Sequence, residues 1–278
     1  MKGACLFLLV SLMAITVSEG QHAKSMFAAS VSGSDRISVV KSSIDIPASH
    51  ESSFWPIYEA YLTKVESASL GAFRAGYDLA NSNDVGEEVA LENAAQLLAL
   101  RLEELQIRKA YYREIASAMN GVVAFQFLQT EALLDIIESA KLYNESGWRK
   151  YRFYARALPA NRLEEAKYNT IAAAISLEKE KAQEFYQLYA KYEEESDALL
   201  GEEYDIFMLY AGEPTDYTPA LAKRLGYDML SLLEREITLK QKYHGEMTKV
   251  VGAQKAARFL AWEDYHSAIY KMFAMANE

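Results

Sequence analysis

The sequence predicts an all-α protein of long antiparallel helices, arranged as two tandem copies of a helical-hairpin unit in an elongated bundle. Glycine and proline are scarce, at 13 and 5 in 278 residues, fewer than the turns of an all-β chain require. From Phe54 almost to the C-terminus, apolar residues recur at steps of three and four, the period of helices that bury one face. The prolines fall where that periodicity lapses.

The chain opens with Met1-Lys2-Gly3, an apolar run from Ala4 to Val17, and the small-residue exit Ser18-Glu19-Gly20. A basic start, a short apolar stretch and a small-residue cleavage point predict a secretory signal peptide over residues 1–20. The run falls short of the roughly 20 residues that span a bilayer. The expected address is beyond the inner membrane, in a Gram-negative periplasm, with no integral membrane segment once the signal is removed. Cys5 is the only cysteine and lies inside the signal. A mature chain then has no disulfide, thiol nucleophile or thiolate ligand, so packing alone must hold it together. The net charge of −10 argues against nucleic acid and anionic lipid as partners.

Residues 21–53 are rich in Ser and Ala without helical period and read as a flexible leader, extended over 35–46. Helices are expected at 54–82, 85–119, 122–143, 160–211, 219–250 and 253–276, with a short piece at 147–157. Ser52 or Ser53 caps the first, with Pro56 in its opening turn and no proline in any helix interior. Asp84 and Glu87 have capping-box spacing for the second. Asn120-Gly121 and Gly252 are breaks, because glycine in a helix interior costs about 1 kcal/mol. The fourth helix starts at Pro159 and, at 1.5 Å per residue, would run about 75 Å, with Ser196 to Gly201 as a bend. Thr218-Pro219 is a cap followed by a first-turn proline.

The chain repeats itself at an offset of 131–132. Phe54, Tyr58 and Tyr61 recur as Phe185, Tyr189 and Tyr192. Leu102-Glu103 recurs as Leu233-Glu234, Lys109 as Lys240, Tyr112 as Tyr243 and Gly121 as Gly252. One inserted residue then moves Phe127-Leu128 and Glu131 to Phe259-Leu260 and Glu263. Fixed-offset similarity of this kind predicts two repeats, 54–146 and 147–278, each a Tyr-rich helix, a long helix, a glycine break and a final helix.

Catalytic motifs are sparse. Glu263 and His266 have the Glu-x-x-His spacing that helical di-iron sites use twice, but the corresponding segment has Glu131 with Leu134 in place of the second histidine. A metal-binding protein centred on Glu263 and His266 is therefore the least favoured reading, and no metal or cofactor is expected. His244 stands one turn from Lys240 and reads as a packed helix residue rather than a base. No Gly-x-Ser-x-Gly elbow or phosphate loop is present. Glu193-Glu194-Glu195 and Glu202-Glu203 read as solvated helix faces. The most informative composition is aromatic: 19 tyrosines, each pairing a large ring with a polar tip suited to partly wet interfaces. Tyr112, Tyr186, Tyr189, Tyr192 and Tyr243 are the candidate partner-binding residues.

The segment Tyr243 to Glu263, with Val250-Val251-Gly252-Ala253-Gln254 and Arg258-Phe259-Leu260, resembles the bacterial periplasmic Spy/CpxP-like helical stress proteins. Its counterpart Tyr112 to Glu131 and the run Leu158-Pro159-Ala160-Asn161 carry the same resemblance. The pentad Leu-Thr-x-x-Gln that marks that family is absent, so no binding residue carries over. The resemblance implies an ATP-independent protein that cradles unfolded or partner proteins. The expected function is thus an exported, non-enzymatic helical binding protein, chaperone-like or linked to envelope stress, holding a protein partner or unfolded client. The alternative is a structural or adaptor subunit of an envelope complex.

Overall fold

A computed structural model describes residues 36–81, 85–145, 171, 173, 175–211 and 218–276. Among the described residues there are seven α-helices and no strand: α1 (Arg36–Ser43), α2 (Glu51–Asn81), α3 (Glu87–Ala118), α4 (Gly121–Glu145), α5 (Lys179–Ala211), α6 (Pro219–Val251) and α7 (Ala253–Ala276). The described residues are therefore all-α, the class that the sequence predicts.

The first difference from expectation lies in the leader, which is helical from Arg36 rather than extended. Val39, Val40 and Ile44 are buried. Two turns of helix do not persist alone in water, so packing makes this helix, and a periodicity search over so few residues misses it.

Helix α2 begins at Glu51. The His50 carbonyl accepts the amides of Ser53 at 3.0 Å and Phe54 at 2.9 Å. Pro56 consequently lies inside the helix rather than in its first turn. It withholds the amide that would bond the Ser52 carbonyl, on an exposed face where water can serve instead. The buried stripe of α2 is Phe54, Tyr58, Tyr61, Val65, Ala68, Ala72, Gly76 and Leu79, stepping by three and four.

Helix α3 starts after Gly86 with no side-chain cap, so Glu87 is not the far end of a capping box. Asn120 supplies a cap that composition alone did not single out. Its Oδ1 accepts the amides of Val122 at 2.8 Å and Val123 at 3.0 Å, starting α4 directly after the break. Thr218 caps α6 as predicted, accepting the Leu221 amide at 3.2 Å with Pro219 at the first helical position. Gly252, at φ +86°, ψ 161°, breaks the chain between α6 and α7 in a conformation that L-residues rarely adopt.

The long fourth helix is corrected. Residues 171, 173 and 175 are helical, Ser176 turns the chain at φ 48°, and α5 starts afresh at Lys179. Ser196 to Gly201 continues α5 as unbroken helix. The predicted short piece at 147–157 and the start of the fourth helix at 160–170 lie outside the described residues.

Helix α2 runs along α3, and α5 along α6. Helices α3 and α6 are antiparallel neighbours: Lys109 pairs with Glu234 at 2.8 Å, and the Tyr112 and Tyr227 rings meet edge-on at 5.3 Å. Helix α4 packs on α3 and α6, and α7 on α2, α3, α4 and α6. The cores therefore cross the predicted boundary between repeats. Leu230 of α6 joins the cluster of Phe54, Tyr58, Tyr112 and Phe127. Ala253, Ala257 and Leu260 of α7 close over Ala90, Ala94 and Leu97 of α3.

Candidate functional site

The chemistry concentrated in this fold is a buried charged network. It begins on α1, where the Arg36 guanidinium, 11% exposed, meets Glu131 at 2.5 Å, Glu138 at 2.5 Å and Asp135 at 3.8 Å. These three carboxylates step by four and three along α4, which puts them on one face. The Tyr58 hydroxyl of α2 donates to Glu131 at 2.9 Å and accepts from Arg36 Nε at 3.3 Å. Asp135 also pairs with Arg108 of α3, which reaches back one turn to Glu104 at 2.7 Å. Glu104 accepts from Arg101 at 3.2 Å, and Arg101 passes the chain on to Asp264 of α7 at 3.2 Å. Lys240 of α6 completes it, 2.8 Å from Asp264 and 3.0 Å from Glu236. All seven helices contribute: six each send at least one side chain into this network, and α5 adds the Tyr189 hydroxyl, which donates at 3.4 Å to the buried Glu263, the residue before Asp264.

At Arg36, Glu104, Asp135, Lys240 and Asp264 burial opposes charge, and the pairings decide the outcome. At Asp264 burial raises the carboxyl, but Lys240 and Arg101 outweigh it and bring it down to about 2. Glu104 is likewise held low by Arg108 and Arg101 against the cost of burial. Arg36 and Lys240 lose solvation, yet their carboxylate neighbours keep both firmly protonated. Asp135 goes the other way. Burial pushes it up to about 7, with Glu104 and Glu131 adding to the rise and Arg108 and Arg36 resisting it. Beside burial, the charges do not balance: Glu104, Glu131, Asp135 and Glu138 face the guanidiniums of Arg36, Arg101 and Arg108, and Asp135 is relieved by holding its proton.

The five candidate tyrosines do not form a surface. Tyr112, Tyr189, Tyr192 and Tyr243 are all at most 2% exposed, and only Tyr186 is half-buried, its ring edge-on to Phe185 at 5.6 Å. Tyr112 is seated against Gly226, where a side chain would collide with its ring, and its hydroxyl donates to the Lys223 carbonyl at 2.7 Å. Tyr189 and Tyr192 pack edge-on to Phe259 at 5.4 and 5.8 Å, and Tyr192 meets Tyr243 at 5.4 Å. The Tyr243 hydroxyl donates to Glu195 at 2.7 Å. The Tyr112, Tyr189 and Tyr243 tips, which suggested a partly wet interface, donate instead to a backbone carbonyl or to carboxylates of the chain itself. An exposed Tyr-rich docking face is thus corrected to an internal one for four of the five residues.

Of the metal candidates, Glu263 is buried beside Tyr189, and the side chain of His266 lies outside the described residues. His244 is 8% exposed, its Nε2 meets no hydrogen-bond partner among the described residues, and burial lowers its pKa. Among the described residues no group of His, Cys, Asp and Glu is arranged to hold a metal ion. The acidic clusters are partly tied down: Glu195 accepts from Lys242 at 2.7 Å, and Glu202 accepts from Arg235 Nη2 at 2.7 Å.

Sequence reasoning missed the network. Its signal was Glu131, Asp135 and Glu138 on one face of an otherwise apolar segment, with Glu104 and Arg108 one turn apart. Among the described residues no helix is long and apolar enough to cross a membrane. Fold and network together define an all-α protein whose helices are joined through an internal ionic chain. No family model matches the sequence, and no curated protein or solved structure matches it.

Proposed function

We propose that this chain is an exported helical binding protein that holds protein partners without covalent chemistry, as the likeness to the Spy/CpxP-like proteins implies. The observation that carries the reading is the use to which charge is put. Arg36, Arg101, Arg108 and Lys240 each lie against carboxylates of other helices, so the charged groups that chemistry would draw on are committed to fixing helix positions. Outward-facing apolar side chains, Leu70, Val89, Leu91 and Tyr227, remain 39–45% exposed and take over the role first assigned to the tyrosines.

The same reading includes an internal duplication. Tyr58 and Tyr61 lie edge-on to Phe127 with Tyr58 bonded to Glu131, and Tyr189 and Tyr192 lie edge-on to Phe259 with Tyr189 bonded to Glu263. The breaks are reciprocal too. Gly121 abuts Pro219 and Lys223 at the start of α6, while Gly252 abuts Glu87 at the start of α3. These paired contacts favour two copies related by an approximate two-fold, standing in for the two subunits of a dimer.

The test is suppression of aggregation. Purified mature protein at equimolar ratio should slow light scattering from a chemically reduced, aggregation-prone client. Unchanged scattering at tenfold excess discards the reading, and recovery of one stoichiometric envelope protein by crosslinking would put an adaptor role in its place.

A further inference from the structure

Helix α1 is held unlike the other helices. It is eight residues long, packs chiefly on α4, and cannot persist as a helix unless docked. Its anchors are of two kinds. Val39, Val40 and Ile44 are buried in the cluster that contains Phe54, Tyr58, Leu128 and Leu134. One turn before them, Arg36 enters the socket formed by Glu131, Asp135 and Glu138. Beyond the helix, the Asp45 amide donates to Gln126 Oε1 at 3.0 Å and the Gln126 amide returns to Asp45 at 3.2 Å. That exchange pins the connection to α2 independently of α1 itself. Lys41 lies 5.2 Å from the centre of the Trp55 ring, so the docked state has a fluorescent neighbour.

The groove on α2 and α4 thus recognises a specific pattern: an arginine, then β-branched apolar residues at the third and fourth positions after it. A carboxylate-rich socket beside an apolar floor is the arrangement by which proteins take up amphipathic helices. We propose that this groove is a docking site for a partner helix carrying that arginine and β-branched pattern, and that α1 is its resident competitor, swung aside about the Asp45–Gln126 pair when the partner enters. The proposal rests on the binding-protein reading and names its site. Because α1 is covalently attached, the groove is closed in the resting chain, and a partner's apparent affinity falls by the fraction of time α1 is docked.

A fluorescent peptide with the sequence of Arg36 to Ile46 tests this against the full mature chain. Arg36→Gln and Val40→Ser in the protein each weaken the internal competitor, the second without leaving Glu131 unpaired. Each is expected to bind the peptide about tenfold more tightly than the unmodified chain, with faster amide exchange over 36–44 and unchanged exchange in α3. A peptide with glutamine in place of its arginine should not bind. Equal binding by the unmodified chain and Val40→Ser, or binding indifferent to the peptide's arginine, overturns the proposal. Client aggregation measured alongside separates the two readings: a chain that suppresses aggregation but fails the peptide test loses this groove alone.

Discussion

The Glu87 carboxylate, in the first turn of α3, accepts the backbone amide of Ala253, the first residue of α7. One acidic side chain therefore serves the exposed amide end of a helix 166 residues away, and it does so beside Gly252, where the chain turns at positive φ. A carboxylate at that place satisfies an orphan donor and opposes the positive end of the helix dipole. Glu87→Ala is expected to lower stability by about 1 kcal/mol, read as a shift in the urea midpoint. Gly252→Ala should cost at least as much, since a positive φ with extended ψ is open essentially to glycine alone and costs an L-residue about 1–3 kcal/mol, and a Cβ would approach Glu87 to 3.2 Å. A neutral outcome for both would mean that this corner does not hold the α3 and α7 ends together.

The contact between Tyr112 and Gly226 makes a second prediction. A side chain at 226 meets the Tyr112 ring and hydroxyl, so Gly226→Ala should destabilise by about 1–3 kcal/mol, the usual range for overpacking. Tyr112→Phe removes only the bond to the Lys223 carbonyl and should cost about 1 kcal/mol. Thermal melts of the two variants, compared with Gly245→Ala, whose Cβ meets nothing within 4 Å, give the ranking. Gly245→Ala should be neutral or slightly stabilising.

Asp135 and Asp264 should respond to pH in opposite senses. Asp135 is raised to about 7 in the folded chain. Its proton therefore favours the folded state, fully so below about pH 4, and that contribution is lost as pH rises through 7. Asp135→Asn is expected to gain on the unmodified protein, by on the order of 1–2 kcal/mol, between pH 5 and pH 8. Asp264 is lowered to about 2, so its contribution is present above about pH 4 and disappears as pH falls towards 2. Asp264→Asn should cost about 3–5 kcal/mol at neutral pH, because it leaves Lys240 and Arg101 buried without their shared partner. Chemical denaturation across pH 4–8 distinguishes the two. Parallel curves for Asp135→Asn and the parent would remove the claim that Asp135 holds its proton in the folded chain.

His244 provides an acid-sensitive element apart from the network. Burial lowers its pKa, so the stability it permits is present above the unfolded value of about 6.5 and is lost as pH falls through the lower folded value. The stability of His244→Leu relative to the parent should rise as pH falls from 7 to 5, read as the difference between their melting temperatures. A difference that stays constant over that interval would assign the acid response elsewhere.

Much of the fold was legible along the chain. The periodicity from Phe54 onward marked the helix α2, Thr218-Pro219 the start of α6, and Gly121 and Gly252 the two breaks, because helix period and backbone conformation are properties of short segments. What escaped was short or long-range. Helix α1 is two turns that exist only against α4. The break at Ser176 interrupts a segment whose composition reads as continuous helix. Tyr112, Tyr189, Tyr192 and Tyr243 lie inside rather than on a surface, because a hydroxyl that looks ready for water in sequence can instead meet Lys223, Glu263 or Glu195, as those of Tyr112, Tyr189 and Tyr243 do, while the Tyr192 ring is covered by Phe259 and Tyr243.

By itself, then, the amino-acid order determined that this protein is helical, where most of its helices begin and end, and which aromatic residues recur at a fixed spacing. Only the tertiary structure decided which faces are inward, that Glu87 tends a distant helix end, and that Arg36, Asp135, Arg108, Arg101, Asp264 and Lys240 form one chain of charge. The reason is physical: helix period is written within a turn or two of backbone, whereas the partner of a buried charge is fixed by whichever helix packing brings within 3 or 4 Å.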